Sequence, residues 1–126
     1  MGRMTGERAE GVVRAAVVYD GRLLLVPEKD GWGLPSGTPQ PAETSQATAA
    51  RVVYELTGYL VDGTEALDQG DAGGGTSVLC RLLTESPSGG GRLTPDRLRW
   101  ASAEETAGIP LPAPVRHYLH GHTPPI

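Results

Sequence analysis

The chain has one cysteine, one lysine and no phenylalanine among its 126 residues. A lone Cys80 excludes an internal disulfide framework and a cysteine-built zinc site, and it fits a reducing compartment. Two Trp and four Tyr are the only aromatics, so the core must be built from Val, Leu and Ala. The basic residues, ten Arg and Lys29, are scattered through a chain of net charge −4. There is no basic stripe for a nucleic-acid polymer. No apolar run approaches the ~20 residues of a membrane span. The opening MGRMTGERAE lacks the apolar stretch of a secretory signal, and Gly6 stands where a myristoylation motif needs Ser or Thr. The expectation is a soluble cytoplasmic domain with no membrane and no nucleic-acid partner. Gly and Pro, at 18 and 11 residues, stay below the ~25–30% at which a chain reads as disordered. The length fits one domain, placed at residues 10–120 between flexible ends 1–9 and 121–126.

Hydrophobic patterning gives the organisation. Residues 11–19 read as a buried strand, Asp20-Gly21 as a hairpin turn and 22–26 as the returning strand. Residues 28–42 form a loop rich in Gly and Pro. A helix is predicted over 44–57, capped by Thr44 or Ser45 and ended by Gly58. A strand over 59–68 is interrupted at Asp62-Gly63. A Gly loop at 70–75 precedes a strand over 76–84, and SPSGGG (86–91) is a second flexible loop. Residues 97–101 read as a short strand, 102–107 as a helical turn and 112–120 as a helix opened by Pro112 or Pro114. The order predicts helices packed on a mixed sheet, an α+β fold.

The informative stretch is WGLPSGTPQPAETSQATAARVVYELTGY, Trp32 to Tyr59. It resembles the Nudix hydrolase (MutT-like) signature, G-x5-E-x7-R-E-U-x-E-E-x-G-U with U a bulky apolar residue. Gly37, Glu43, Arg51, Val53, Glu55 and Gly58 fall on that pattern, and Tyr59 matches the last U loosely. The lead-in WGLPSG resembles W-x-L-P-G-G, with Ser36 for the first Gly. The paired-strand opening and the tail LRW–SAEE–IPLPAPVRHYL extend the likeness to about residues 10–120. The resemblance implies a mixed sheet sandwiched by helices. It also implies a pyrophosphohydrolase that splits nucleoside diphosphates linked to another group, with Mg²⁺ or Mn²⁺.

The departures concern the chemistry. The family's R-E-U-x-E-E reads RVVYEL, so Val52 and Leu56 stand where the family has glutamates. Gln40 and Ala42 also replace commonly acidic and glycine positions. Positions 52, 55 and 56 share one helix face, where clustered carboxylates would bind hard cations that neutralise diphosphate charge and activate water. By resemblance, Glu55 and the Gly37 carbonyl are the surviving metal ligands. Glu55, Glu43 and Arg51 are the candidate catalytic residues, Glu43 and Arg51 being also readable as a pair that braces the site. A helical wheel places Ala49, Ala50, Val52, Val53, Tyr54 and Leu56 on an apolar arc, with Thr48, Arg51 and Glu55 opposite. On that account Glu55 is an ordinary solvated carboxylate on an amphipathic helix.

Other residues carry weaker signals. Lys29, Trp32 and Trp100 are candidate substrate contacts: Lys29 for phosphate, the tryptophans for stacking, with Trp100 also readable as strand packing. Asp68, Asp71, Glu85, Asp96, Glu104 and Glu105 are candidates for a metal ligand from outside the helix. His117, His120 and His122 read as exposed histidines rather than a metal cluster, and Cys80 as a small core residue. Three functions compete. One is a weak or inactive hydrolase that binds a small phosphorylated or nucleotide-like ligand. Another is an active Mg²⁺-dependent enzyme using Glu55 and loop carboxylates. The third is a non-catalytic subunit, a homodimer included, that uses the apolar helix edge. Val52 and Leu56 favour the first.

Overall fold

The computed structural model describes residues 12–29, 31–67, 75–84 and 91–121. Strands β1 (Val12–Tyr19) and β2 (Arg22–Glu28) form the expected hairpin. Asp20 and Gly21 both take positive φ, 55° and 77°, the conformation a two-residue turn of matching twist requires. Two short strands, β3 (Gly31–Gly33) and β4 (Ser36–Gly37), fall inside the stretch expected to be loop. They pair with β2 and with the start of β1. They are too short to produce a periodic pattern; β3 folds straight back on β2, whereas the partner of β4 lies at the distant start of β1.

Helix α1 (Ser45–Thr57) follows. The Thr44 hydroxyl accepts from the Ala47 amide, and Gly58 closes the helix at φ 83°, the left-handed turn that a side chain would strain. Strands β5 (Val61–Leu67) and β6 (Gly75–Leu82) pair antiparallel, and β6 runs parallel to β1. The expected interruption at Asp62-Gly63 is a register shift between Gly63 and Glu65 inside one continuous strand, a bulge. After a 3₁₀ turn at Pro95–Arg97, β7 (Arg99–Ser102) pairs with β2. Ser102 and Glu105 then bond reciprocally, each side chain to the other's amide, as in a capping box. Helix α2 (Ala113–Gly121) ends the described chain.

The sheet order is β3-β2-β1-β6-β5, with β4 beside β1 and β7 beside β2. Alternation along the strands sends side chains to two cores. Val13, Ala15, Val17, Leu24, Val78 and Cys80 meet Ala49 and Val53 of α1 on one face. Ala16, Leu23, Leu25 and Ala101 meet Val115 and Leu119 of α2 on the other. The fold is therefore α+β, a mixed sheet between two helices. No described helix is long and apolar enough to cross a membrane.

The buried stripe of α1 differs from the wheel. Thr48, Ala49, Val52, Val53 and Thr57 are buried, whereas Tyr54 is exposed. The stripe is rotated toward Thr48 because that hydroxyl finds partners inside. It donates within reach of the Glu43 carboxylate (2.9 Å) and of the Thr44 carbonyl (2.8 Å), which removes the penalty of burying it.

Candidate functional site

The loop before α1 is pinned to the helix through one carboxylate. Glu43 accepts from Arg51 Nε and Nη2, each at 2.9 Å, and from Thr48 and the Gln40 amide. Arg51 also donates to the Thr38 carbonyl at 2.9 Å and reaches Glu55 at 3.3 Å. This forked arginine contact fixes geometry as well as charge. It brings together Glu43, Arg51 and Glu55, three residues singled out from sequence. Thr48 is a fourth member that sequence reasoning placed as merely polar. Its signal was spacing: Thr48, Arg51 and Glu55 lie at i, i+3 and i+7 on one helix face. In the same turn Ala42 has φ 65°, which is strained for a residue with a Cβ. The replacement of the family's glycine there therefore has a local steric cost.

The Arg51 guanidinium, and then the Gln40 amide, hold the Glu43 carboxyl well below its ordinary 4.5, at about 2. A carboxylate with a depressed folded-state value adds stability at pH above its unfolded value. That contribution is lost as pH falls through the folded value. Stability is therefore expected to fall between about pH 4.5 and about pH 2. Thermal melts across that range should show a steeper decline for the wild type than for Glu43→Gln. Parallel curves would mean that Glu43 is not the group responsible.

Gly37 meets the helix at Val52. A Cβ built on Gly37 would lie 2.6 Å from Val52 Cγ2. Gly37 does not have positive φ, so close packing, not backbone freedom, is what a side chain would disturb. Val52 is 4% exposed, and Leu56 is half-buried. Val52 fills this chain's own interior and is not open to a partner molecule.

Nudix hydrolases generally use Mg²⁺ or Mn²⁺, and the donors among the described residues do not fit such an ion. Of the three helix positions only Glu55 carries a carboxylate, and it faces Arg51. Among the described residues no group of three His, Cys, Asp or Glu side chains is arranged to hold a metal. Asp96 and Glu104 are exposed, and Glu105 is engaged with Ser102. Asp68, Asp71, Glu85 and His122 lie outside the described residues, and His117 and His120 fall on α2.

The remaining candidates do not converge. Lys29 is exposed in the turn after β2. Trp32 packs on the α2 face, with the Arg99 guanidinium 5.8 Å from its ring centre. Trp100 packs on the α1 face between Tyr19 and Tyr59. The two tryptophans therefore lie on opposite faces of the sheet. Cys80 is buried, and burial pushes its thiol up to about 12, which makes it inert.

A mixed sheet between two helices, with a glycine loop braced to the first helix by a glutamate–arginine pair, is the α+β architecture that the motif's resemblance implied. The NUDIX domain family matches residues 9–119, and the chain belongs to that family. A NUDIX hydrolase from Nitrosomonas europaea is 18% identical, with a TM-score of 0.65 over 94% of this chain and 74% of its own. A UDP-X diphosphatase is 18% identical, with a TM-score of 0.62 over 95% and 67%. An ADP-ribose pyrophosphatase from Streptococcus suis is 24% identical, with a TM-score of 0.60 over 89% and 85%. These are likenesses of fold. No curated protein matches the chain significantly by sequence.

Proposed function

We propose that this Nudix domain, residues 10–120, binds a small phosphorylated, nucleotide-like ligand in the cytoplasm and is a weak or inactive hydrolase. Val52 carries the reading. It is buried against Gly37 at the position where the family's motif has a glutamate. Leu56 removes a second carboxylate, and the remaining one, Glu55, is paired with Arg51. One exposed carboxylate beside a guanidinium gives little attraction for a divalent cation, because the neighbouring positive charge opposes it.

The test is a hydrolysis screen with Mg²⁺ and Mn²⁺ over nucleoside triphosphates, dinucleotides, ADP-ribose and UDP-linked sugars, paired with ligand-induced shifts in melting temperature. The last two substrates follow the names of the fold neighbours. The expected result is a stabilising shift with at least one ligand and turnover far below about 1 per second, the lower end of ordinary enzymes. Calorimetric titration with either metal alone should show little heat at millimolar concentration. Turnover at or above about 1 per second would overturn the impaired-catalyst reading. It would favour an active enzyme that recruits a carboxylate from outside the helix.

A further inference from the structure

A cleft of about 250 Å³ opens beyond the C-terminal end of α1, lined by Tyr19, Asp20, Arg22, Tyr59, Leu82 and Trp100. It lies at the far end of β1 from the Nudix loop. Gly37 pairs with Val13, and Tyr19 is six residues further on, roughly 20 Å along the strand. Trp100 stands edge-on to both tyrosines. Its ring centre is 6.2 Å from Tyr19 and 5.7 Å from Tyr59, at interplanar angles of 63° and 81°. Tyr59 is buried beneath the helix end, while Tyr19 is 45% exposed. Tyr59 is therefore core packing, while Tyr19 lines the cleft from a more exposed position.

The rim is polar and carries both hydrogen-bonding characters. Arg22 offers only donors and the Asp20 carboxylate only acceptors. Both are exposed, and neither belongs to an ion pair among the described residues. Arg22 and Asp20 carry opposite charges, so the rim presents both signs. An aromatic wall with a donor and an acceptor at its mouth matches a flat ring that presents an acceptor and a donor on one edge. The volume lies just below the ~300–1,000 Å³ of drug-sized pockets and suits a single bicyclic ring.

We propose that this cleft is a second binding site, separate from the Nudix loop, for a planar heteroaromatic ring of purine size. The ring packs against Tyr19 and Trp100, and its polar edge meets Arg22 and Asp20. The site does not depend on whether the domain hydrolyses or binds diphosphates.

Guanosine and adenosine are the probes, because they carry the ring without phosphate. Binding is followed by the indole N–H signal of Trp100 and the surrounding backbone amides in a two-dimensional NMR titration, with ribose as the control. Saturable shifts at Trp100, Tyr19 and Arg22 are expected, with millimolar or tighter dissociation constants, and ribose should produce none. Tyr19→Ala should weaken binding by about fivefold or more, as the loss of a stacking ring requires. Arg22→Gln, at an exposed position, should weaken it by about threefold or more, as the loss of a charged donor requires. No shift at Trp100 with either nucleoside would overturn the proposal, as would undiminished, wild-type affinity in both variants. Shifts confined to Gly37, Arg51 and Glu55 would place the ring in the Nudix loop and overturn it equally. A nucleotide that binds at the loop while nucleosides fail at Trp100 would sink this site and leave the proposed function standing.

Discussion

Replacing both apolar residues of the helix edge, Val52→Glu with Leu56→Glu, is expected to cost about 3–5 kcal/mol in the absence of metal. For a domain of this size that lowers the melting temperature by roughly 10–20 °C. Most of the loss belongs to position 52, which is buried against Gly37. Position 56 is half-buried, and Leu56→Glu alone should be mild. The introduced carboxyl at 52 replaces a side chain that is 4% exposed and packed against Gly37. Burial therefore raises its folded-state pKa above the unfolded value of about 4.3. The penalty is absent below that value and grows as pH rises toward the folded one, so the double variant should recover at acid pH relative to wild type.

Divalent metal separates two histories of the site. If the loop still presents the Gly37 carbonyl, the double variant regains three carboxylates around it, and Mn²⁺ should raise its melting temperature. An ion at a hundred times its dissociation constant returns about 2.7 kcal/mol. The wild type should not respond. Restored metal binding with phosphate release would confine the loss of catalysis to two residues. Restored binding without release would extend it to the substrate pocket. A double variant that melts like the wild type without metal would show that Val52 is not held in the core, removing the central support of the proposed function.

Much of this fold is legible in the chain because its signals are local. Asp20-Gly21 fixes a hairpin, Thr44 and Gly58 fix both ends of a helix, and alternating Val, Leu and Ala assign the strands. Glu43, Arg51 and Glu55 are legible through spacing and meet in the fold. What sequence hides is tertiary. β4 exists only because the start of β1 offers open backbone. The burial of Thr48 depends on Glu43 reaching across the helix N-terminus. Residues drawn together from the ends of β1, β2, β6 and β7 line the aromatic cleft, and no short motif announces them. Trp32 and Trp100 looked alike as stacking residues, yet alternation along paired strands sends them to opposite faces.

The stretch 86–91 reads as a flexible loop, and its last residue is a glycine crowded by backbone atoms. A Cβ on Gly91 would lie 2.4 Å from the Thr57 carbonyl carbon, 2.6 Å from the Gly58 nitrogen and 2.8 Å from the Thr57 Cα. All three are backbone atoms, so no side chain can turn aside. Gly91→Ala must lift the strap that follows. That strap holds the end of α1: the Arg92 amide donates to the Glu55 carbonyl and the Leu93 amide to the Leu56 carbonyl, both at 2.8 Å. These carbonyls are among the last four of the helix, which have no intrahelical partner. Losing two bonds at about 1 kcal/mol each and adding the strain of overpacking gives a cost of about 2–4 kcal/mol. The melting temperature should fall by roughly 6–15 °C, and the amides of Arg92 and Leu93 should exchange with solvent much faster than in the wild type. Gly21→Ala is the control. It has open space around it and only positive φ to oppose it, so it should cost about 1–2 kcal/mol. A Gly91→Ala protein no less stable than that control, with both amides still protected, would mean that the strap accommodates a methyl group. The strap would then keep its hold on the helix end carrying Glu55 and Leu56 despite the added methyl.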